Sequence, residues 1–453
     1  MNLLGKDSLI HRYIAIIAVQ LCLMMTVLDG AIVNVALPVI AGQFHISSSM
    51  SVWILNAYQL VIVMTILVFA SLGDTHGYKR IFLIGTVIFT TSSAMCALSE
   101  SFHMLIMARI LQGVGAGCVM SVNPALVRLI YPPSVLGRGL ALNAMVIAVS
   151  SAAGPSLAGA ILAISSWHWM FIINLPIGLL ALLMGIHYLP QNDVSLPKTH
   201  FDYISAACNI LFFGIMIYSI GSFSVTSDWR MSILEVVAFV LIGIYYVQRQ
   251  RKIEHPILPV DLLKIPIFTL SICTSITSFA AQMLAMVSVP FLFHDLFGYN
   301  EVETGLLITP WPLMIFVAAP LAGRLVEKVN PGILGSVGMT FLTLGLIALA
   351  LLPEHPSMID IMWRMGMCGF GFGLFQTPNN VMIISSTPKE RSGGASGMLG
   401  TARLTGQAVG TALVTLLLHI HGNDHGTIIC LVVGAVFSTM AALISSIRTM
   451  KSA

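Results

Sequence analysis

The chain alternates long apolar runs with short polar gaps. Fourteen runs approach or exceed the length of about 20 residues that a helix needs to cross the hydrocarbon of a bilayer. Six come first, at 13–37, 50–72, 81–99, 104–127, 139–164 and 168–189. Two follow at 203–223 and 231–248, and six close the chain at 267–293, 304–326, 332–353, 358–384, 393–419 and 426–447. Most are apolar on all sides, as expected of helices surrounded by lipid or by other helices. The first run is too long for a signal-peptide core and is expected to be retained as a span.

Composition fixes the solvent. The chain is 57% hydrophobic and 9% charged, with a mean hydropathy of +0.93. Soluble domains carry about 25% charged residues. This chain cannot cover a water-facing surface and reads as an all-α polytopic membrane protein. Its seven cysteines sit within apolar runs with no CxxC pair, so packed thiols are expected rather than disulfides or a metal site.

The placement of basic residues tests the count of spans. With a cytoplasmic N-terminus, Lys6, Arg12, Lys79, Arg80, Arg128, Arg138, Lys198, Arg249 to Lys264, Arg324, Lys328, Lys389, Arg391, Arg448 and Lys451 all fall inside. The outer loops hold only Arg230, while Arg109, Arg364 and Arg403 lie within spans. This alternation predicts fourteen spans with both termini cytoplasmic.

The first and last six spans repeat one plan. SLGDTHGYKR (71–80) between spans 2 and 3 has LAGRLVEKVN (321–330) in the matching place. ARILQGVGAGC (108–118) in span 4 has WRMGMCGFGFG (363–373) in span 12, the arginines offset by one residue against the glycine ladders. YPPSVLGRG (131–139) precedes span 5 and TPKERSGG (387–394) precedes span 13. Small-residue ladders also serve packing alone, but three matches in one order predict two six-helix bundles with a helix pair between them. The expected units are 1–190, an inserted pair and linker at 191–265, and 266–453.

These segments resemble the major facilitator superfamily, in its fourteen-helix drug:proton antiporter branch, over nearly the whole chain. Ala70 to Arg80 resembles the superfamily's motif between spans 2 and 3. It departs at Ala70, Thr75 and Tyr78 and keeps Asp74, Gly77, Lys79 and Arg80. Arg109 to Gly115 resembles the span 4 motif. Ala153-Gly-Pro-Ser-Leu-Ala-Gly159 resembles the span 5 antiporter motif, built on Gly154, Pro155 and Gly159. Leu28 to Pro38 and Trp167 to Gly178 are similar to signatures of the branch. The resemblance implies the major facilitator fold and proton-coupled efflux of amphipathic, cationic compounds by alternating access. It implies no cofactor beyond the proton gradient, a monomer in a bacterial inner membrane, and no nucleic-acid partner.

The residues give the chemistry independently. Asp29 lies about 24 Å from the cytoplasmic end of span 1, and Arg109 about 8 Å from the outer end of the oppositely directed span 4. The depths agree, and each buried charge needs the other. Asp29 and Arg109 are therefore expected to share a network and to couple protons, one acid holding either a proton or a cationic cargo; a static ion pair is the plain alternative. Asp74, Gly77, Lys79 and Arg80 are expected to form a gate bridging the two bundles. Gly154-Pro155 is expected to kink and tighten span 5. Candidate pathway residues are Asn34, Trp53, Tyr58, Gln112, Gln376, Asn379 and Arg403, the last with no evident carboxylate partner. Glu235 near the outer end of span 8 reads as interfacial. No GxxxxGK[ST], HExxH or GxSxG occurs, and no soluble segment is long enough for an enzymatic domain. A metabolite permease on the same scaffold is the alternative transport reading, and a membrane scaffold the non-transport one.

Overall fold

The computed structural model describes residues 6–131, 136–190, 201–222, 229–253, 256–326, 328–387 and 392–452. Lys198, Lys389, Arg391 and parts of the repeated segments before spans 5 and 13 lie outside the described residues. Helices are α1 (Lys6–Phe44), α2 (Ser48–His76), α3 (Tyr78–Ala97), α4 (Phe102–Ile130), α5 (Leu136–Ile164) and α6 (Trp169–Tyr188). The next two are α7 (Tyr203–Ser222) and α8 (Trp229–Gln250). Then come α9 (Pro266–Leu296), α10 (Glu301–Leu325), α11 (Pro331–Ala350) and α12 (Met358–Ser385). The last stretch, Ser392–Ser452, breaks at Gly422 (φ 70°) into α13 (Gly397–Asn423) and α14 (His425–Arg448).

Among the described residues, thirteen of these helices are long and apolar enough to cross a membrane. The fourteenth, α12, is 28 residues long and stands with them, but Asp360, Arg364, Gln376, Asn379 and Asn380 dilute its apolar character. Helix ends follow local chemistry. The side chains of Ser47, Ser101 and Ser357 accept hydrogen bonds from the first turns of α2, α4 and α12. Asn300 and Glu303 form a reciprocal cap on α10. Gly77 makes the bend between α2 and α3 at φ 98°, where a side chain would be strained. All seven cysteines are free thiols.

Glycines set the helix spacing within each half. A Cβ on Gly115 would fall 2.5 Å from the Phe89 backbone of α3, and one on Gly113 2.8 Å from the Tyr58 carbonyl of α2. In the second half Gly371 meets Gly338 of α11 at 2.5 Å, and Gly369 meets the Trp311 carbonyl of α10 at 2.0 Å. The two ladders are thus in one register. Arg364 is one residue out of that register, a rotation of about 100° around the helix. It pairs with Asp360 of its own helix (2.8 Å) and reaches the Ala348 carbonyl of α11. Arg109 points instead at α1.

Helix α7 packs on the seam between the halves, touching both α2 and α13, and α8 packs against α7. Asn209 of α7 donates to the Met64 carbonyl of α2 (2.8 Å) and accepts from the Tyr246 hydroxyl of α8 (3.0 Å). The α8 end is held by Arg249 on Asp202 (2.9 Å).

Because the Gly369 contact is with backbone, Gly369→Ala should lower the stability of the solubilised protein by about 1–3 kcal/mol. Gly323→Ala, where a Cβ meets nothing within 4 Å, should leave it unchanged or raise it. Apparent melting temperatures followed by size-exclusion fluorescence check both.

Candidate functional site

Asp29 of α1 and Arg109 of α4 form an ion pair whose side chains are wholly withdrawn from solvent. Gln112, one turn along α4 from Arg109, donates to Asp29 Oδ1 (3.0 Å) and accepts from Arg109 Nη1 (2.6 Å). Asn174 of α6 donates to the same carboxylate oxygen (3.1 Å). Ser93 of α3 accepts from Gln112 (2.8 Å), and Arg109 Nε donates to the Ile54 carbonyl of α2 (3.1 Å). Every contact to the carboxylate is a donor, as an ionised acid requires. The guanidinium lies over the Tyr58 ring, 4.2 Å from its centroid, and 5.7 Å from that of Phe171. Arg109 Nη2 has no hydrogen-bond partner among the described residues.

A cavity of about 550 Å³ opens between the two halves. Thr26, Gly30, Ala31 and Asn34 line it from α1, Tyr58 and Gln59 from α2, and Gln376 and Arg403 from α12 and α13. Asp29 does not line it. Tyr58 stands between the cavity and the ion pair, its hydroxyl tied to the Thr26 carbonyl (3.0 Å). The expected competition of proton and cargo for one acid therefore does not occur by direct contact in this conformation: the carboxylate is sealed behind the wall. A separate hollow of about 650 Å³ on the outside of α11 and α14 has no charged lining and no connection to this chemistry.

The halves are zipped at one end. Asn56 bonds Thr415 (2.7 Å), Gln59 bonds Thr411 (2.9 Å), and Asn423 bonds Ser48 (2.7 Å). Asn34 donates to the Met286 carbonyl (2.6 Å), and Ser156 meets Thr309 (2.6 Å). All five lie in the half of the helices away from the basic loops. The span 5 motif is part of this zip. A Cβ on Gly154 would sit 2.4 Å from that of Ala31, and one on Gly305 2.5 Å from the Pro155 carbonyl. Gly159 packs against the Glu301 carbonyl (3.0 Å).

At the basic end, Asp74 accepts from Tyr78 (2.5 Å), and Lys79 holds the Ile186 and Leu189 carbonyls at the end of α6 (2.8 and 2.9 Å). Asp74 and Lys79 bond within the first half and Arg80 is exposed, so among the described residues the expected bridge to the facing bundle is not seen in this conformation. Tyr78, a departure from the family motif, is the group that engages Asp74.

Of the pathway candidates, Asn34, Tyr58, Gln376 and Arg403 line the cavity. Trp53 does not: it packs against Tyr218 of α7 (6.2 Å). Gln112 belongs to the ion-pair network. Asn379 accepts from the buried Arg448 (2.6 Å), and the face of α12 that reaches the cavity carries Asn380 instead. Asn174 was assigned no role from sequence, although its place in the Trp167–Gly178 signature marks it. The amides Gln59, Gln282 and Gln407, also on the cavity wall, carried no motif that could have singled them out.

The chain matches the profile of the Major Facilitator Superfamily over residues 19–411. It is 52% identical over 438 residues, covering 97% of this chain and 96% of the relative, to the uncharacterized transporter YebQ of Escherichia coli (strain K12). It is 30% identical to the riboflavin transporter RibZ of Clostridioides difficile (strain 630), covering 89% and 87% of the two chains. The multidrug export protein EmrB of Escherichia coli (strain K12) is 29% identical, with 88% and 79% covered. A crystal structure of the peptide transporter POT in complex with sulfate superimposes with a TM-score of 0.73 at 15% identity, over 97% of this chain and 94% of that one.

Removing one member of the pair leaves the other buried without its counter-charge, so Asp29→Asn and Arg109→Gln should each destabilise the protein by up to about 3–5 kcal/mol. The double substitution should recover part of that loss rather than add to it. A thermal-stability cycle on the solubilised protein measures the coupling; additive losses would show the two residues to be independent.

Proposed function

The chain belongs to the Major Facilitator Superfamily, and on that premise we propose that it is a proton-coupled exporter of amphipathic small molecules. Proteins of this family are transporters rather than enzymes and need no cofactor. The observation that carries the proposal is the buried carboxyl group of Asp29, held by three donors directly behind the wall of an amphipathic cavity. Protonation would cancel one charge of a buried pair and free Arg109 to its remaining acceptors, Gln112 and the Ile54 carbonyl. Tyr58 and α1, which touch both the pair and the cavity, would carry the change to the cargo.

With the basic face in the cytoplasm, as the charge rule places it, this conformation is closed outside and faces inward. Asp74, Gly77, Lys79 and Arg80 would then close the inner side in the opposite state. The Gly154-Pro155 segment would seal the outer seam in this one. The setting is a bacterial inner membrane, and the likeness to EmrB supports a multidrug role, with drug resistance as its readout. A proton-linked metabolite permease is the second reading, favoured by the 30% identity to RibZ.

A susceptibility screen over chemically varied toxic compounds, paired with proton flux in everted vesicles, separates the readings. Wild-type expression should protect against several unrelated compounds, each of which should collapse the proton gradient when added to vesicles. Asp29→Asn should insert normally and lose proton-linked transport at least about tenfold; coupled efflux at the wild-type rate would refute its role. Protection against none, with uptake of one metabolite, would favour the permease.

Gly154→Leu should cut efflux per molecule several-fold while leaving the amount of inserted protein within about twofold, because the added side chain would hold α5 away from Ala31. Vesicle transport normalised to protein level checks this.

A further inference from the structure

Three arginines lie well within the spans, Arg109, Arg364 and Arg403, and a fourth, Arg448, is buried at the cytoplasmic end of α14; together they make the charge question concrete. Arg109 has Asp29, and Arg364 has Asp360. Arg448 is enclosed by three neutral acceptors, Ser271 (2.9 Å), Asn379 (2.6 Å) and Ser445 (3.0 Å). Arg403 differs. Among the described residues no carboxylate lies within ion-pair distance of it and no hydrogen bond engages its guanidinium; its one contact of note is the Phe279 ring at 6.0 Å. Among the described residues it is also the single charged side chain on the wall of the 550 Å³ cavity.

The rest of that wall is suited to the same ligand. Gln282, Gln376 and Asn380 line the cavity, and their side chains make no hydrogen bond within the protein among the described residues. Phe279 and Trp311 border it with their side chains almost wholly buried, and Met283, Met286 and Ile315 supply partly exposed apolar surface. A lone cation midway along a span is costly unless something answers it. Here no protein group does, and no acid on the wall could attract a cationic cargo.

We propose that Arg403 makes the cavity a binding site for aromatic anions, the guanidinium taking a carboxylate or sulfonate and the apolar side chains of Met283, Met286 and Ile315 packing on the body. This rests on the reading of the cavity as the transport site and replaces the cationic cargo expected from the family resemblance with an anionic one. A carboxylate or sulfonate presents two oxygens to the planar fork of an arginine, a geometry a lysine reproduces only in charge. The unpaired amides then bond the polar edge of the ligand.

The test is equilibrium binding to the full chain in lipid nanodiscs, with empty nanodiscs subtracted. The probes are matched sets on two ring bodies: 2-naphthoate, 2-naphthamide and 2-naphthylmethylammonium, and the corresponding anthracene compounds. The anionic member should bind at least about tenfold tighter than the cationic one on each body. Arg403→Gln should remove that preference while changing affinity for the neutral amide by less than about twofold. Arg403→Lys should retain part of the preference, showing that the site is intact. Equal or tighter binding of the cations, a preference that survives in Arg403→Gln, or binding of no member of either set would overturn the assignment. Proton flux with the same probes in everted vesicles keeps the two readings apart. Anion-selective binding without proton-linked movement would refute coupled export and leave the anion site standing. Proton-linked efflux of the cations would do the reverse.

Discussion

The ion pair between Asp29 and Arg109 is the constraint on which the first half of the molecule is built. Taking two charges out of water costs several kcal/mol per ion, and their attraction offsets this only when the remaining donors and acceptors are also met. The structure meets all but the Nη2 of Arg109 from five helices at once: Asp29 on α1, the Ile54 carbonyl and Tyr58 ring on α2, Ser93 on α3, Arg109 and Gln112 on α4, and Asn174 on α6. None of these helices can rotate or slide without breaking a bond to a buried charge or to an amide that holds one. Adding one proton to Asp29 therefore alters a restraint shared by nearly the whole bundle. The unpartnered Nη2 of Arg109 shows that the network is short of acceptors even when the acid is ionised.

Helix α1 is the element common to the pair and the cavity. One face carries Asp29 inward, while Thr26, Gly30, Ala31 and Asn34 meet the cavity or the opposite half. Ala31 is also where Gly154 presses closest, and Asn34 is bonded to α9. A shift of α1 released by protonation would thus reach the cargo site and the outer seam together. Packed interfaces of this kind tend to hold one arrangement or the other rather than deform continuously, which suits a carrier that must never open both ends. The π-type turn at Leu292–Leu296 and the Asn423 bond to Asp295 close the same outer end from the second half.

Much of this was legible because bilayer physics leaves large, coarse signals. Span number followed from run length and basic loops, and the meeting of Asp29 with Arg109 followed from matching depths and the cost of lone charges. What depended on helix rotation was not legible. Asn379 and Asn380 are adjacent in sequence, yet one binds Arg448 and the other faces the cavity. Trp53 and Tyr58 share α2, yet only Tyr58 turns to the centre, while Trp53 packs on the inserted α7. Arg109 and Arg364 stand one residue apart against their glycine ladders. That difference sends one to another helix and the other to its own Asp360. A period of 3.6 residues makes such choices turn on single positions, and a sequence without a partner structure does not fix which neighbour each face will meet.

The sign of the cavity charge bears on how the membrane potential enters the cycle. With Asp29 ionised, Arg109 balanced and an anion on Arg403, the core charges of the loaded carrier sum to zero, and its outward passage is indifferent to the potential. With the cargo gone and Asp29 protonated, Arg109 and Arg403 are both uncompensated, and the return carries two positive charges inward. Each is worth about 2.3 kcal/mol per 100 mV, so an interior-negative potential drives the step that resets the carrier. A monocation at the same site would forfeit this: the loaded state would carry two positive charges outward against the potential, cancelling the two that return, and the exchange would be driven by the pH difference alone. On the proposed cycle, a cargo opposite in sign to Arg403, the one cation that the described residues present to the cavity, would let the potential add to the pH difference in driving export.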